Sequence, residues 1–235
     1  RDQHANVHSF PTRRSSDLTP LTSVIGYLDW VKSRPDLDEQ TRQQYLDIAY
    51  RKALHLEQLT NELFGFVKME HKEMSLHLEQ LDLQKLLEQL LDEAWPSFEK
   101  NGLEAQFSCV EHGIPMEGDG NLLARLFENL LNNAVKYGKD GKIIRVAAKV
   151  VHEHVLVQVI NYGYVIPKED LEKLFQKFYR VEQSRSQNTG GTGLGLAIVH
   201  QIAVLHGGDV QVKSDLDGTV FSVWLPLQQK KERQT

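Results

Sequence analysis

The feature that most constrains the fold is an apolar helical run that ends in a polar box. Leu122–Leu131 repeats apolar side chains at the spacing of one helix face, which predicts a helix packed on a core. Asn129 and Asn133 lie four residues apart on one face, and Lys136 and Tyr137 follow within a turn. Amide oxygens can ligate a hard cation, and a lysine meets phosphate charge. The pattern favours a magnesium-nucleotide site, although an amphipathic helix with a polar rim would carry the same residues.

Two glycine-containing segments further along the chain support the nucleotide interpretation. Val159–Pro167 is an apolar, strand-like run that reaches Asn161 and Gly163 before it ends. Thr189–Val199 is a glycine-rich loop that opens an apolar helix, where backbone N–H groups and the helix N-terminus favour phosphate. The loop is not a Walker loop, because no Lys-Ser/Thr pair ends it. It is not a dinucleotide fingerprint either, because its spacing differs and no strand precedes it.

The order and spacing of the motifs make the set specific. After the asparagine box come the Asn161 turn, Phe175–Arg180, Gly191–Gly195, His206–Gly208 and Gly218–Phe221. This set resembles the catalytic ATP-binding domain of bacterial sensor histidine kinases. Thr19–Tyr27 is similar to the segment just after their phosphoacceptor histidine, and Phe178–Ser186 is most similar to sensors of the vancomycin-resistance type. The resemblance covers Thr19 to about Leu227.

The resemblance implies ATP and magnesium as cofactors and assigns roles residue by residue. Asn133 matches the asparagine that holds magnesium in the family. Glu128, directly before the box, is a candidate catalytic residue that orders water or the metal, with a solvated glutamate on a helix face as the alternative. The residues that the resemblance assigns to ATP binding are Asn129, Asn133, Lys136, Tyr137, Asn161, Gly163, Ile166, Phe178, Arg180, Arg185, Gly191, Thr192, Gly193, Leu194, Gly195 and Leu196.

The site departs from the family pattern at Asn161 and Val165. Residues 163–190 are expected to form a mobile lid, with Arg180 and Arg185 at its phosphate end, unless both are ordinary surface cations. Asn161 stands where the family has an aspartate that accepts from the adenine amino group. An amide oxygen accepts the same bond without charge assistance. Val165 replaces a glycine, and valine disfavours positive φ, so we expect either a different turn there or a branch of the family that tolerates the valine.

The reaction that the resemblance implies is phosphoryl transfer from ATP to a histidine, then to an aspartate of a response-regulator receiver domain. Counting back from Pro20, the acceptor position is Ser15, so the phosphoacceptor histidine is missing. Thr19 is retained at the position linked in the family to dephosphorylation of the partner. We therefore expect a protein histidine kinase core that does not autophosphorylate. The alternative is a nucleotide-binding module that docks or dephosphorylates a response regulator.

Composition excludes several other classes of function. A net charge of −5 without a Lys/Arg-rich stripe argues against nucleic acid as a partner. Cys109 is the single cysteine, which excludes an intramolecular disulfide. No apolar run is long enough to span a bilayer, so we expect a soluble chain. The resemblance implies that it is the cytoplasmic portion of a plasma-membrane sensor, joined to the membrane through an upstream segment.

The first part of the chain reads as a tail followed by a helical hairpin. Residues 1–18 lack sustained periodicity and resemble translated sequencing-adapter read-through, with a natural disordered N-terminus as the alternative. Residues 19–70 contain two helical patterns, and the resemblance makes them a truncated dimerisation and phosphotransfer hairpin. Pairing two hairpins into a four-helix bundle covers their apolar stripe, so we expect a homodimer. A hairpin packed on its own C-terminal domain is the alternative.

The remainder alternates between strand and helix patterns. Residues 71–227 are predicted to form an α/β sandwich, so that the fold class is α+β of the histidine-kinase, gyrase and chaperone ATPase type. Residues 228–235 read as a flexible tail. An ATPase of the gyrase or chaperone type itself is a third possibility, against which the Thr-Pro hairpin argues. The predicted elements are strands at 76–79, 103–110, 143–151, 155–160, 210–214 and 219–225, and helices at 83–98, 121–136 and 194–206.

Overall fold

The computed structural model describes residues 19–70, 75–138, 141–181 and 191–229. Within that part of the chain the backbone forms two compact units, one ending at Asn61 and the other beginning at Glu62. No helix in the described ranges combines the length and apolar character needed to cross a membrane. For Thr19, Pro20 and Glu70 the description extends to the backbone and not to the side chain.

The first unit is a helical hairpin, as predicted. Helix α1 spans Thr19–Lys32 and helix α2 spans Glu39–Glu70, with the residues of α2 from Glu62 onward belonging to the second unit. The turn end of the hairpin is held by aromatic packing, because the ring centroid of Tyr45 lies 4.1 Å from that of Trp30 and 5.8 Å from that of Tyr27. The hairpin therefore has a local aromatic anchor near its turn.

The second unit is an α+β sandwich, which confirms the predicted fold class. Its described elements are β1 Glu79–Asp82, α3 Leu83–Lys100, β2 Glu104–Cys109, β3 Pro115–Gly118, α4 Gly120–Tyr137, β4 Ile143–Val151, β5 His154–Asn161, α5 Lys168–Leu171, α6 Gly195–Leu205, β6 Asp209–Asp215 and β7 Gly218–Pro226. Strands β1 and β3 form a small antiparallel sheet. The larger sheet has the order β2-β4-β5-β7-β6, in which β2 and β4 are parallel and the other pairs antiparallel.

The core of the second unit is formed by the inner face of the larger sheet and by helices α3, α4 and α6. Leu126 and Leu130 on α4 are fully buried, four residues apart on one face. Val157 on β5 lies opposite Val223 on β7, and both are fully buried. Each such side chain stabilises the fold by roughly 1.5–3 kcal/mol. This packing fixes α4 on the sheet and so fixes the polar box that α4 carries.

The two short strands differ from the sequence-based expectation. The strand predicted at Leu76–Glu79 is wrong, because β1 begins only at Glu79. The backbone N–H of His77 donates to the Asp119 carboxylate at 3.0 Å, so this segment is held by a side chain and not by a strand partner. Strand β3 was not predicted. It pairs with β1 over four residues, and a run of four residues is too short to show the alternation of apolar and polar side chains that predicts a strand.

His206 lies at the C-terminal end of α6. The ring is fully buried. Its Nε2 accepts from the Asp119 N–H at 3.0 Å, and its Nδ1 donates to Ile202 O at 2.8 Å, which together define the neutral ring. Burial lowers the pKa of His206, against the opposing effects of Ile202 O and the Asp119 carboxylate. Because that carboxylate also caps α4 through Leu122 N–H, His206 ties the end of α6 to the start of α4.

Candidate functional site

The polar box lies on the last turns of α4, where Asn129 and Asn133 are both half-buried. The Nδ2 of Asn129 donates to Arg125 O at 2.7 Å, which identifies Oδ1 as the acceptor atom of that amide. A Cβ built at Gly195 would lie only 2.9 Å from this Oδ1, so the glycine lets the start of α6 approach the box. Glu128, next to the box in sequence, is exposed.

The end of β5 meets the end of α4 beside the box. Asn161 ends β5 and is only 3% exposed. A Cβ at Gly138 would lie 3.0 Å from the Cβ of Asn161, and a Cβ at Gly163 would lie 2.5 Å from the backbone oxygen of Tyr137. Glycine at both positions allows the two chain segments to come this close. Asn161 is thereby placed next to the residues that the sequence assigned to the base end of a nucleotide.

The loop after β5 is anchored by two buried hydroxyl groups. The N–H of Ile166 donates to Ser214 Oγ at 2.9 Å. Ser214 Oγ in turn lies 2.7 Å from Thr219 Oγ1, across the β6–β7 hairpin. Val165, beside Ile166, has no left-handed backbone conformation. The turn is therefore formed without the positive φ that a glycine at this position would allow.

Two cations meet the glycine loop at the opposite end of the box. The Nζ of Lys136 occupies the space that a Cβ at Gly191 would take. Arg180 Nη1 donates to Gly191 O at 3.3 Å. Burial, followed by the neighbouring Arg180 cation, lowers the pKa of Lys136 to about 8, with the Glu62 carboxylate acting in the other direction. Two half-buried cations beside the backbone of a glycine loop attract a polyphosphate.

The segment that precedes the loop is held in a strained conformation. Phe178 has a φ of 61° and is 50% exposed, while its N–H donates to Gly193 O at 3.0 Å. Gly193 has a φ of 76°, and a Cβ there would lie 2.8 Å from the Cα of Phe178. A bulky residue in the left-handed region costs on the order of 1–3 kcal/mol and persists only where its surroundings hold it. The backbone conformation of the glycine loop at Gly193 and that of the segment at Phe178 therefore depend on each other.

Glu62 is the residue at this end of the site that sequence reasoning missed. Its Oε2 accepts from Thr192 Oγ1 at 2.5 Å, and Thr192 Oγ1 itself accepts from the N–H of Leu194 at 3.2 Å. Glu62 lies on α2, 130 residues before Thr192. No motif or periodicity in the sequence identifies it, because the contact depends on tertiary packing.

The other predicted site residues are Leu194, Leu196, Thr19, Ser15 and Arg185. Leu194 is fully buried in the core, and Leu196 is partly buried against that core. Thr19 begins α1. Ser15 and Arg185 lie outside the described residues.

The donor set at the box fits magnesium bound mainly through water and phosphate. In the described ranges no group of three or more His, Cys, Asp or Glu side chains is arranged to hold a metal. The amide oxygens of Asn129 and Asn133 are neutral, hard ligands. Mg²⁺ commonly keeps several waters and takes few protein ligands when it is bound together with phosphates. The residues present are compatible with that kind of site.

Known protein families match both parts of the chain. Residues 18–72 match the His Kinase A (phospho-acceptor) domain, and residues 118–229 match the histidine kinase-, DNA gyrase B- and HSP90-like ATPase family. The sensor protein VanS of Enterococcus faecium is 39% identical over 88% of this chain and 54% of its own length. Sensor protein VanSC of Enterococcus gallinarum is 36% identical over 88% of this chain and 57% of its own length. The chain thus spans about half the length of the curated relatives it matches.

Solved structures share the fold. The Acinetobacter baumannii histidine kinase AdeS superposes with a TM-score of 0.72 at 22% identity, over 89% of this chain and 95% of that one. Histidine kinase ThkA, in complex with the response regulator protein TrrA, gives a TM-score of 0.74 at 24% identity, over 91% of this chain and 59% of that one. The family resemblance drawn from the motifs is confirmed. The chain belongs to the sensor histidine kinases, with a phospho-acceptor domain followed by an ATPase domain.

Proposed function

We propose that the second unit binds Mg-ATP with the polyphosphate at Lys136 and Arg180. The observation that carries this proposal is the meeting of both cations at Gly191, just before α6 begins. Burial, and after it the repulsion between the two like charges, lowers the pKa of Lys136. A bound polyphosphate offsets that repulsion, and the helix N-terminus adds a partial positive charge. The match to an ATPase family supports the same ligand.

The base of ATP is proposed to lie at the Asn161 end. There the amide oxygen of Asn161 accepts from the exocyclic amino group of adenine. The ring of Tyr137 flanks the base, and Lys136 Nζ lies 5.3 Å from that ring, so one residue pair spans the base and phosphate ends. Ile166, held by its hydrogen bond to Ser214, borders the base on the lid side. These residues bind and orient the nucleotide.

Asn133 and Asn129 are the residues proposed to hold magnesium. The bond from Asn129 to Arg125 O fixes the orientation of its amide, so that Oδ1 stays available as a ligand or as an acceptor for metal-bound water. Glu128, which is exposed beside the box, is proposed to order a water there. Magnesium, when bound, offsets the negative charge on the phosphate oxygens during phosphoryl transfer.

The proposed activity of the whole protein is that of a histidine kinase. The bond between the γ-phosphorus and the bridging oxygen of ATP breaks, ADP leaves, and a nitrogen–phosphorus bond forms on a histidine, which loses its ring proton. The phosphoryl group then passes to an aspartate of a response-regulator receiver domain. In this chain the acceptor position is Ser15, and a serine without a base is a poor nucleophile. We therefore propose that the chain binds ATP without phosphorylating itself.

The hairpin is proposed to pair with a second copy of the chain. Leu21, Leu28 and Leu63 are 49%, 45% and 37% exposed, although they lie on helices with apolar faces. Within the first unit a groove between α1 and α2 is lined by Leu21, Val24, Ala53, Leu56, Glu57, Thr60 and Asn61. A second hairpin would cover these side chains in a four-helix bundle. Thr19, at the first position of α1, is proposed to act in dephosphorylation of the response regulator.

Isothermal titration of the full chain with Mg-ATP tests the nucleotide site. Asn133→Asp brings a carboxylate into the magnesium site and is expected to alter the magnesium dependence of binding. Asn161→Ala removes the acceptor for adenine and is expected to weaken binding about tenfold, the effect of a lost hydrogen bond to a buried partner. Asn132→Ala is the matched control, because Asn132 is an exposed neighbour in the same box. Parent-like affinity in both test variants, with melting curves showing intact folding, contradicts the assignment.

Incubation with labelled ATP tests the missing acceptor. The unmodified chain is expected to stay unlabelled. Replacing residues 1–18 with a kinase helix that carries histidine at position 15 is expected to restore a phosphate that is labile in acid and stable in base. Such a label on the unmodified chain contradicts the proposal. A graft that binds ATP and stays unlabelled would assign the lost activity to the departures at Asn161 and Val165 instead.

A further inference from the structure

The last turns of α2 are packed on the same unit that carries the nucleotide site. Phe66 and Met69 are 4% and 2% exposed and belong to the core of that unit. Gln201 on α6 donates to Met69 O at 3.3 Å. The Nζ of Lys177 lies 4.6 Å from the ring centroid of Phe66. This short helical segment is therefore anchored by apolar burial and by side chains from two other parts of the second unit.

A glycine allows this segment to lie close to α4. A Cβ built at Gly65 would lie 2.7 Å from Nη1 of Arg125, the residue whose backbone oxygen orients Asn129. Phe66 is buried on the next position. The segment that begins at Glu62 is thus held from two sides, by α4 and by the region of Lys177 and α6. One helical turn before Phe66, the chain reaches the phosphate end of the site.

Glu62 projects its carboxylate into that end. Its Oε2 accepts from the hydroxyl of Thr192 in the glycine loop at 2.5 Å. Its charge acts on Lys136 with the sign opposite to that of Arg180. The carboxylate therefore sits where a polyphosphate would have to interact with the same threonine and lysine. Two anions cannot share these partners without repulsion, which is strong where the site is shielded from water.

We infer that Glu62 is a built-in competitor for the polyphosphate, so that ATP binds only as the contact between Glu62 and Thr192 breaks. The inference rests on the proposed nucleotide site and adds a regulatory contact to it. Because Glu62 belongs to α2, any change that moves the end of α2 changes the affinity of the ATP site. The coupling works in both directions, since linkage between two binding events is reciprocal.

Titration of the full chain with Mg-ATP and with adenosine tests the inference. Glu62→Gln keeps the size and hydrogen-bonding capacity of the side chain and removes its charge. We expect it to tighten ATP binding by about fivefold, the upper end of the range for a partly exposed charge interaction. Adenosine has no phosphate, and its affinity is expected to stay unchanged. Glu99→Gln, an exposed glutamate on α3, changes net charge equally and is expected to bind ATP as the parent does.

The outcomes separate the inference from the proposed function. If the parent binds ATP and Glu62→Gln binds it equally or more weakly, the inference is wrong and the nucleotide site stands. If Glu62→Gln and Glu99→Gln tighten binding by the same factor, net charge is the cause and the inference is also wrong. If neither the parent nor Glu62→Gln binds ATP, the proposed function fails and the inference fails with it. The inference is supported if Glu62→Gln binds ATP more tightly than the parent does, while its affinity for adenosine and the ATP affinity of Glu99→Gln stay unchanged.

Discussion

The hairpin and the sheet unit bury their apolar side chains to very different extents. Among the described side chains up to Asn61, Ala49 is the one below a tenth exposed, whereas Leu21 and Leu28 remain nearly half exposed. In the sheet unit the large side chains of α4, such as Leu126 and Phe127, are fully buried. The sheet unit therefore has its own core, which fixes the candidate nucleotide site, whereas the hairpin leaves large apolar side chains exposed.

The largest expected effect comes from matched leucine truncations in the two units. Leu130 on α4 is fully buried, and Leu54 on α2 is 45% exposed. Leu130→Ala is expected to lower the free energy of unfolding by about 2–5 kcal/mol, because it removes buried methylene groups and leaves a cavity. Leu54→Ala is expected to cost less than about 1 kcal/mol in the monomer. Urea unfolding at low protein concentration measures both, and equal losses would show that the hairpin has a core of comparable density.

The next largest effect is expected on dimerisation. Leu56 lines the groove between α1 and α2, and covering such a side chain stabilises by roughly 1.5–3 kcal/mol. In a two-fold dimer each substitution counts twice, so Leu56→Asp is expected to raise the dimer dissociation constant by at least about 100-fold. Sedimentation equilibrium measures it.

Lys85→Asp is the control for that experiment, because Lys85 is exposed on α3 of the other unit. It is expected to leave dimerisation unchanged. A parent chain that sediments as a monomer at every accessible concentration would overturn the homodimer, and would favour a hairpin that stays uncovered or is covered by another part of its own chain.

The same contrast separates what the sequence could predict from what it could not. The β4 strand, Ile143–Val151, has the predicted bounds because a long alternating run determines its own pairing. Helix α4 begins one residue earlier and ends one residue later than predicted, because its apolar period extends over its whole length. Strands β1 and β3 have four residues each, and their pairing depends on the surrounding fold. Local pattern therefore predicts long elements and fails for short ones.

The candidate site divides in a similar way. The box residues, the Asn161 turn and the glycine loop were predicted because each is a local motif in a characteristic order, and the structure brings Lys136 to Gly191 and Asn129 to Gly195. Glu62 was missed because its partner is 130 residues away. The neutral state of His206 was missed because the sequence does not show that the ring is buried.

The third effect concerns His206, a polar residue inside the core of the sheet unit. His206→Leu is expected to cost about 1–3 kcal/mol, because it leaves the Asp119 N–H without its buried acceptor. The pKa of His206 in the folded state is depressed below the ordinary value of 6.5. The contribution of neutral His206 to the free energy of unfolding is therefore complete above the ordinary pKa of 6.5. It is lost as the pH falls from there through the lower pKa of the folded state. Thermal melting against pH is expected to show this acid loss in the parent and a reduced one in His206→Leu.

His154→Leu is the matched control, since His154 is an exposed histidine on β5 of the same unit. It is expected to keep both the stability of the parent and its pH dependence. If His206→Leu loses no stability, or if its acid transition equals that of the parent, the buried neutral imidazole is not what links α6 to the cap of α4.

The smallest effect is expected on the pH dependence of ATP binding. The pKa of Lys136 is lowered to about 8 in the free protein, and a bound polyphosphate raises it because the anion favours the charged amine. Binding therefore takes up protons, and affinity falls as the pH rises from about 7 to about 9, by up to about tenfold. Titration calorimetry in buffers of different ionisation enthalpy measures that uptake. Lys136→Arg keeps the charge at every pH in this range and is expected to bind with a flatter profile. If the two profiles have the same slope, the titrating group is not Lys136, and the cation pair at Gly191 does not set the charge of the phosphate end.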